Sequence, residues 1–171
     1  MNTHTAYIGL GSNLNSFAGS PKATLNAAII RITVLGEVAA QSSFYDTGPV
    51  GYTAQPRFVN AAIAVRTELT ALELLYELLA IEREFSRDRR TGPPKGPRTL
   101  DLDLLLVDDA IMEHPQLILP HPAIAERRFV LTPLAEIAPH LVHPLLCKSI
   151  ESLLQELPDE GENRISSVNI L

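Results

Sequence analysis

The sequence predicts an α+β fold in which helices flank an antiparallel sheet. Three observations lead to this class. Four segments of strand length carry alternating side chains, two longer segments carry apolar residues at helical spacing, and their order is β-α-β-β-α-β. That order is the one found in the ferredoxin-like split βαβ arrangement, and we therefore expect the helices on one face of the sheet.

The first half of the chain is bounded by clear local signals. Residues 5–10 are predicted to form a strand that ends at a Gly-Ser-Asn turn. Ser20 before Pro21 is typical of a helix start, with serine as the N-cap and proline at the first helical position. An apolar stripe then continues to Gly36, where the helix ends. A second strand is predicted over residues 37–45.

The second half repeats the strand-helix-strand pattern. Its predicted elements are a loop over 46–56, a strand over 58–67, a helix over 70–85, a basic loop over 87–97, a strand over 99–107, and two or three short helices over 123–156. We expect one domain over residues 1–158 and a polar tail over 159–171.

Composition narrows the class of protein. The chain has 171 residues, 46% of them hydrophobic, and a net charge of −6, which argues against a nucleic-acid coat or a membrane-surface protein. No apolar run approaches the roughly 18–20 residues of a membrane helix. The single Cys147 agrees with a reducing compartment, and we expect a cytoplasmic monomer.

Basic residues are concentrated in one segment. Residues 83–98 contain six basic and two acidic side chains, a local charge of +4 (6 − 2) within an acidic chain. Arg87 and Arg89 lie at the start of this loop. A guanidinium group can bind two oxygens of one phosphate at the same time. The segment predicts a site for a small anion, with a solvated charged loop as the alternative. The chain has no P-loop motif, so arginines would have to bind any nucleotide phosphates.

Two carboxylates on the last predicted strand suggest a metal site. Asp101 and Asp103 are two residues apart, so they share one face of the strand, while Leu100, Leu102, Leu104 and Leu106 are expected on the other. Magnesium is usually held by one or two carboxylates together with substrate phosphates. Arg98 just before them suits a metal–phosphate complex. The alternative is a solvated strand face.

Other candidate residues carry weaker signals. Glu82 falls within the apolar arc of its predicted helix, so it needs an ion pair or a ligand. Phe58 and Asn60 share a strand face and can stack on a flat heterocycle and read its edge, although core packing is the alternative. His121 and Arg127 can reach a phosphate, or His121 can serve only as a structural hydrogen-bonding group.

Four blocks of sequence together resemble the 6-hydroxymethyl-7,8-dihydropterin pyrophosphokinase family. The blocks are Tyr7-Ile8-Gly9-Leu10-Gly11-Ser12-Asn13-Leu14, then residues 42–45 with 55–62, then Gly96 to Leu106, which begins Gly-Pro-Arg-Thr-Leu-Asp-Leu-Asp, and finally residues 120–122 with 127–131 and 133–134. The resemblance implies transfer of diphosphate from ATP to the pterin, giving AMP and the pterin diphosphate in folate biosynthesis.

The resemblance also implies roles for individual residues. Asp101 and Asp103 would hold two Mg²⁺ ions. The implied ATP-binding set is Glu82, Arg87, Arg89, Arg98, His121 and Arg127. The implied pterin pocket is Thr47, Gly48, Val50, Phe58, Asn60 and Phe129. Arg87, Arg98 and Asp103 are the implied catalytic residues. Lys95 stands where some members carry a tryptophan over the pterin, and Phe58 where some carry a tyrosine.

We expect the pterin hydroxymethyl oxygen to attack the β-phosphorus of ATP, with loops 46–56 and 87–97 closing over both substrates. Two other functions fit the same residues. A metal-dependent phosphohydrolase would use the same aspartate pair without a pterin, and a ferredoxin-like binding module would have no catalytic activity.

Overall fold

The computed structural model describes residues 2–87, 89–90 and 92–158 of the chain. The predicted polar tail, residues 159–171, lies outside the described residues, as do two positions of the basic loop, Asp88 and Thr91. The boundary of the predicted domain at residue 158 therefore stays a prediction. None of the described helices is long and apolar enough to cross a membrane.

Nine strands and four α-helices form the described structure. The strands are β1 (His4–Ser12), β2 (Glu37–Gln41), β3 (Tyr45–Thr47), β4 (Phe58–Thr67), β5 (Asp101–Val107), β6 (Met112–His114), β7 (Leu117–Leu119), β8 (Val142–His143) and β9 (Lys148–Ser149). The helices are α1 (Pro21–Ile32), α2 (Ala71–Glu84), α3 (Arg128–Ile137) and α4 (Ile150–Glu156), with a 3₁₀ turn at Ile124–Glu126.

Local capping explains where the first two helices begin. The Ser20 side chain accepts a hydrogen bond from the backbone N–H of Ala23, and Pro21 is the first helical residue, as the sequence predicts. Thr70 caps α2 and forms a capping box with Glu73, in which each side chain accepts from the other residue's N–H. Helix α1 therefore begins where one orphan N–H group finds a partner, and α2 begins where two do.

The main sheet is antiparallel, with the strand order β2-β4-β1-β5. Strand β3 pairs with the first residues of β4, and β2 pairs with the later ones. One predicted strand, residues 37–45, is wrong as a single element. The chain leaves the sheet after Gln41 and returns at Tyr45, while Ser42 still pairs with Ala62 through its backbone N–H and its hydroxyl. The break divides the predicted strand into β2 and β3.

Helices cover both faces of the sheet, so the expectation of helices on one face is wrong. Helices α1 and α2 cover the face that carries Ile8, Ile63 and Leu102, whereas α3 and α4 cover the other around Ala62 and Leu105. The physical reason is that β4 and the end of β5 are apolar on both sides.

A β-bulge near the middle of β5 corrects a second expectation. Tyr7 pairs with Leu106 and Ile8 with Leu104, so Leu105 is the extra residue. A bulge breaks the simple alternation of side chains along a strand. Leu106 therefore packs with Leu105 against α3 and α4, and not with Leu102 and Leu104 as alternation predicts.

Candidate active site

The two carboxylates of β5 lie on the sheet face that α3 only partly covers. Asp101 pairs with Gly11 and Asp103 pairs with Gly9 of β1. Directly opposed residues of antiparallel strands share a face, so two glycines lie beside the two acids. Upstream of the bulge, β5 keeps the alternation that the sequence predicts. Asp101 and Asp103 are partly exposed, and Leu102 between them is buried.

The glycines leave an open floor between β5 and β4. A Cβ atom at Gly11 would lie 2.9 Å from Oδ1 of Asn60 and 3.9 Å from the Cβ of Asp101. A contact of 2.9 Å is shorter than real Cβ atoms tolerate, so any side chain there would displace Asn60. Gly11 thus keeps the space between the Asn60 amide and the Asp101 carboxylate free.

The electrostatics of the carboxylate pair would suit a bound cation. Burial, together with the charge on Asp101, raises the pKa of Asp103 well above the ordinary value of an aspartate, while Arg89 acts in the opposite direction. Within the described residues, no three or more His, Cys, Asp or Glu side chains are grouped to hold a metal ion. The pair fits Mg²⁺ bound with substrate phosphates, because Mg²⁺ needs few carboxylates when phosphate oxygens complete its shell.

Arg89 connects this pair to the buried Glu82. Its Nη2 atom lies 2.6 Å from Oε1 of Glu82, 3.5 Å from Oδ1 of Asp101 and 3.6 Å from Oδ1 of Asp103. The hydrogen bonds to Glu82, which outweigh burial, raise the pKa of Arg89 further. The guanidinium is therefore permanently charged and neutralises part of the local excess of carboxylates.

Glu82 is almost fully buried, as its place in the apolar helical arc predicts. Only 1% of its surface is exposed. One oxygen accepts from the Leu102 N–H at 2.8 Å, and both accept from Arg89. The carboxylate thus ties α2 to β5 and fixes Arg89. This geometry favours the ion-pair alternative over direct contact with a ligand.

Arg98 reaches both the carboxylates and an aromatic ring. Its Nε atom lies 3.2 Å from Oδ2 of Asp101, although the two are not aligned as a hydrogen bond. Its guanidinium carbon lies 4.8 Å from the centre of the Phe58 ring. The backbone of Arg98 is held by Asn13, whose Oδ1 accepts from the Arg98 N–H at 2.8 Å and whose N–H donates to the Arg98 carbonyl at 3.1 Å.

A first cavity lies between β3, β4 and the start of α3. Its walls are Thr47, Gly48, Val50, Phe58, Asn60, Lys95, Arg98, Glu126, Arg127 and Phe129. All six residues of the implied pterin pocket are among them. Asn60 is buried, and its amide donates to the Thr47 hydroxyl. Two rings and a buried amide therefore face one space.

A second cavity lies on the other side of the carboxylates. It is lined by Leu75, Arg89, Leu102, Asp103, Leu104, His114, Pro115, Gln116, Leu117, Ile118, His121 and Pro122. A small cleft between the cavities is lined by Gly9, Gly11, Asn60, Arg98, Asp101, Asp103 and Phe129, among others. Asp103 borders the cleft and the second cavity, while Arg98 borders the cleft and the first.

His121 lines the second cavity, and its surroundings favour the neutral imidazole ring. Burial lowers its pKa most, and the positive charge of Arg127 lowers it further. The charge of Asp101 raises the pKa by less, and Arg89 has the smallest effect, which is to lower it. Its Nδ1 atom accepts the Ala123 N–H at 3.2 Å. The remaining ring nitrogen is therefore the one that can donate to an anion.

The structure does not bring Arg87 into these cavities. Its N–H donates to the Glu82 carbonyl at 2.9 Å, and its Nε atom is buried with no hydrogen-bond partner among the described residues. Arg127, by contrast, lines the first cavity rather than the second.

The two loops that are predicted to close over the substrates contact each other. The Gln55 side chain donates a hydrogen bond to the Lys95 carbonyl at 2.8 Å.

Some residues of the site were missed by sequence reasoning. The β6–β7 hairpin supplies His114 and Gln116 to the second cavity. Asn13 links Gln55, Pro56 and Arg98 by hydrogen bonds. The Gly-x-Gly-Ser-Asn block carries the signal for Gly9, Gly11 and Asn13, but only strand pairing shows which residues they face.

A ferredoxin-like domain with a carboxylate pair and arginines between two cavities is the architecture of a group-transfer enzyme acting on a phosphorylated substrate. The family model for 7,8-dihydro-6-hydroxymethylpterin-pyrophosphokinase (HPPK) matches residues 7–139. The chain belongs to this family of ATP-dependent diphosphokinases.

Curated relatives agree with this assignment. The chain is 45% identical over 142 residues to a 2-amino-4-hydroxy-6-hydroxymethyldihydropteridine pyrophosphokinase of Haemophilus influenzae, covering 82% of this chain and 85% of the relative. A protein of the same name from Methylorubrum extorquens is 40% identical over 162 residues, covering 94% of this chain and 98% of the relative.

Solved structures confirm the predicted fold class. The wild-type HPPK-DHPS of Plasmodium falciparum superimposes with a TM-score of 0.69 and 15% identity, covering 91% of this chain. This chain spans only 45% of the length of that protein, so the likeness concerns the fold of the matched part.

Proposed function

We propose that this chain transfers an intact diphosphate group from ATP to 6-hydroxymethyl-7,8-dihydropterin, giving AMP and the pterin diphosphate in folate biosynthesis. One observation carries the proposal. The Asp101–Asp103 pair borders a cleft that shares lining residues with two cavities, one lined by aromatic rings and an amide and the other by Arg89 and His121. Two substrates bound in the two cavities would meet at the carboxylates.

The first cavity suits the pterin. Phe58 and Phe129 offer apolar ring faces for a flat heterocycle, and Asn60 with Thr47 offers donors and acceptors to its edge. Gly48 and Val50 complete the wall from the loop over residues 48–57. The pterin hydroxymethyl group would then point along the open glycine floor toward Asp101.

The second cavity suits the nucleotide. Arg89 and His121 line it beside Asp103, and Arg98 and Arg127 approach from the first cavity. We assign these four side chains to the phosphates, because their N–H groups can donate charge-assisted hydrogen bonds to phosphate oxygens, and a cation on the neighbouring carboxylates would offset the repulsion between like charges. Glu82 acts through Arg89, which it holds in place. Arg87 is assigned to the transition state, after movement of the basic loop.

Asp101 and Asp103 would hold two Mg²⁺ ions. Bound there, the ions would neutralise the phosphate charge and polarise the reacting phosphorus. The chain's own contribution is to hold both carboxylates on a rigid strand and to exclude other side chains with Gly9 and Gly11. The monomeric state and the cytoplasmic location expected from the sequence remain predictions.

The reaction needs little covalent help from the protein. The hydroxymethyl oxygen attacks the β-phosphorus in line, the bond to the α-phosphate oxygen breaks, and AMP leaves. Positioning and charge neutralisation supply most of the acceleration, so no strong base is required. Asp103 is the assigned acceptor of the hydroxyl proton, and Arg98 and Arg87 stabilise the charge that develops on the transferred group.

An assay of products tests the function. The protein is incubated with ATP, Mg²⁺ and hydroxymethyl dihydropterin, and AMP is measured with and without the pterin. AMP that requires the pterin supports the proposal. Inorganic phosphate released without the pterin would instead indicate a phosphohydrolase, and absence of turnover together with absence of a thermal shift on adding Mg²⁺ and ATP would indicate a binding module.

A further inference from the structure

Glu136 joins two walls of the first cavity at a point outside it. The residue lies near the end of α3, and its carboxylate receives donors from the connection between β2 and β3. The Ser43 N–H lies 3.0 Å from both carboxylate oxygens, and the Ser43 hydroxyl donates to Oε1 at 2.9 Å. The Tyr45 hydroxyl donates to Oε2.

The same helix face carries the aromatic wall of the cavity. Phe129 precedes Glu136 by seven residues, which is two helical turns, or about 10.5 Å of rise on the same side of a helix. Phe129 lines the first cavity. The Glu136 contacts thus fix the end of the helix face whose beginning forms the pocket wall.

The strand on the other side carries the opposite wall. Tyr45 pairs with Asn60 and Thr47 pairs with Phe58, so Tyr45 and Thr47 share the face of the sheet that holds the pocket. Tyr45 is buried, although its hydroxyl reaches α3. Among the described strands β3 pairs with β4 alone, and the Tyr45–Glu136 contact attaches it to a further element, α3.

We propose that Glu136 is a positioning residue for the pterin pocket, whose carboxylate sets the separation between the Phe129 wall on α3 and the Thr47–Asn60–Phe58 wall on β3 and β4. The inference rests on the function proposed above for the first cavity. Glu136 does not line that cavity itself.

The ionised carboxylate is the form that the geometry uses. Partial burial works to raise the pKa of Glu136, but the hydrogen bonds from Tyr45 and Ser43 outweigh it and hold the pKa below its ordinary value. Charge-assisted hydrogen bonds of this kind are shorter and stronger than neutral ones. The contact is therefore a fixed clamp at neutral pH.

Direct binding measurements separate positioning from general stability. Wild type, Glu136→Ala, Glu136→Gln and Tyr45→Phe are titrated with hydroxymethyl dihydropterin and, separately, with a non-hydrolysable ATP analogue and Mg²⁺. Glu156→Ala is the matched control, because Glu156 is also an exposed helical glutamate and pairs with Lys148 away from the pocket. Circular dichroism checks that each variant is folded.

We expect Glu136→Ala to weaken pterin binding about tenfold, which corresponds to about 1.4 kcal/mol, and to leave binding of the ATP analogue unchanged. Glu136→Gln keeps an acceptor oxygen and should recover most of the affinity. Tyr45→Phe, which removes only the donating hydroxyl, should show a smaller change of the same selectivity. Glu156→Ala should bind both ligands like wild type.

Three results overturn the inference. If wild type binds the pterin and both Glu136→Ala and Tyr45→Phe bind it equally well, the positioning role is refuted, while the proposed function stands. An equal loss of affinity for both ligands would mean that the contacts of Glu136 with Ser43 and Tyr45 only support the fold. If wild type itself does not bind the pterin, the proposed function fails and the inference fails with it.

Discussion

The Nε atom of Arg98 lies 3.2 Å from Oδ2 of Asp101, while the same guanidinium stacks over Phe58. One side chain thus touches the candidate metal site and the candidate pterin pocket. Arg98 is 18% exposed in its side chain, so both contacts are made in a partly desolvated environment. Arg98 is therefore placed to connect the two proposed substrate sites.

Replacing Arg98 should therefore weaken the binding of both substrates. The conservative replacement Arg98→Lys should distinguish the contact with Asp101 from the contact with Phe58. Arg98→Lys keeps the charge near Asp101 but loses the planar group over Phe58. We expect about tenfold weaker pterin binding in Arg98→Lys, because a desolvated cation–π contact contributes on the order of 1–2 kcal/mol. Binding of an ATP analogue should change less.

Isothermal titration of both ligands measures this difference. Arg66→Lys is the control, because Arg66 lies on the same sheet in an exposed pair with Glu37 far from the carboxylates. Equal losses of pterin and nucleotide affinity in Arg98→Lys would show that stacking on Phe58 has no separate role.

Two glutamates of α2 provide a test of the buried ion pair. Glu82 and Glu84 each accept a bidentate arginine, but Glu82 is buried, while Glu84 and its partner Arg31 are each 45% exposed in their side chains. Glu82→Gln should lower the free energy of unfolding by about 2 kcal/mol or more, because it leaves Arg89 and the Leu102 N–H poorly paired.

Glu84→Gln should cost much less stability than Glu82→Gln, because an exposed ion pair contributes little. Urea denaturation of both variants gives the comparison. Equal losses would contradict the structural role assigned to Glu82. A large rise in the KM for ATP in Glu82→Gln with no loss of stability would restore direct nucleotide contact as its role.

The lowered pKa of His121 predicts a defined pH dependence. Burial and the charge of Arg127 lower the pKa of the folded form below the ordinary 6.5. Between the two values the unfolded chain binds more protons than the folded one, so stability rises with pH. The contribution of His121 to stability is fully present above about pH 6.5 and is lost as the pH falls toward the lowered pKa.

Titration of the His121 ring by NMR should give a midpoint below 6.5. Arg127→Ala should move that midpoint upward, since it removes one of the opposing charges. His121→Gln should make the acid limb of the stability curve shallower. A midpoint at or above the ordinary value in wild type would be inconsistent with the described burial of the ring.

Arg87 tests whether the basic loop moves during the reaction. Its side chain lies outside both cavities in the described structure, so any contact with the phosphates needs a rearrangement. Arg87→Ala should lower kcat about 100-fold and change KM little, as expected for a contact made only in the transition state.

Steady-state kinetics with both substrates varied measure this, with Arg83→Ala as the control on the exposed face of α2. A rise in KM with unchanged kcat would show that Arg87 binds the ground state. The loop would then be in place before the reaction begins.

Local signals in the sequence identify part of this molecule well. Ser20 and Pro21 predict the start of α1, because capping depends on only a few neighbouring residues. The spacing of Asp101 and Asp103 predicts their common face in the same way, since it needs only the alternation of a strand. The buried position of Glu82 follows from helical spacing alone.

Features that depend on strand pairing could not be read in this way. The bulge that turns Leu106 to the opposite face exists only because Tyr7 and Ile8 pair on either side of Leu105. The space kept by Gly11 becomes meaningful only when Asn60 and Asp101 flank it on neighbouring strands. The second helical layer likewise depends on tertiary contacts of residues beyond 123, where the periodicity shows helices but not the face they cover.

The most direct test of the account is the position of the metal ion. Crystals grown with Mn²⁺, a non-hydrolysable ATP analogue and the pterin would give anomalous signal at the metal. We predict ions coordinated directly by the carboxylates of Asp101 and Asp103, with analogue phosphates completing the shell. Metal and phosphates bound elsewhere, with both carboxylates still paired only to Arg89 and Arg98, would contradict the account.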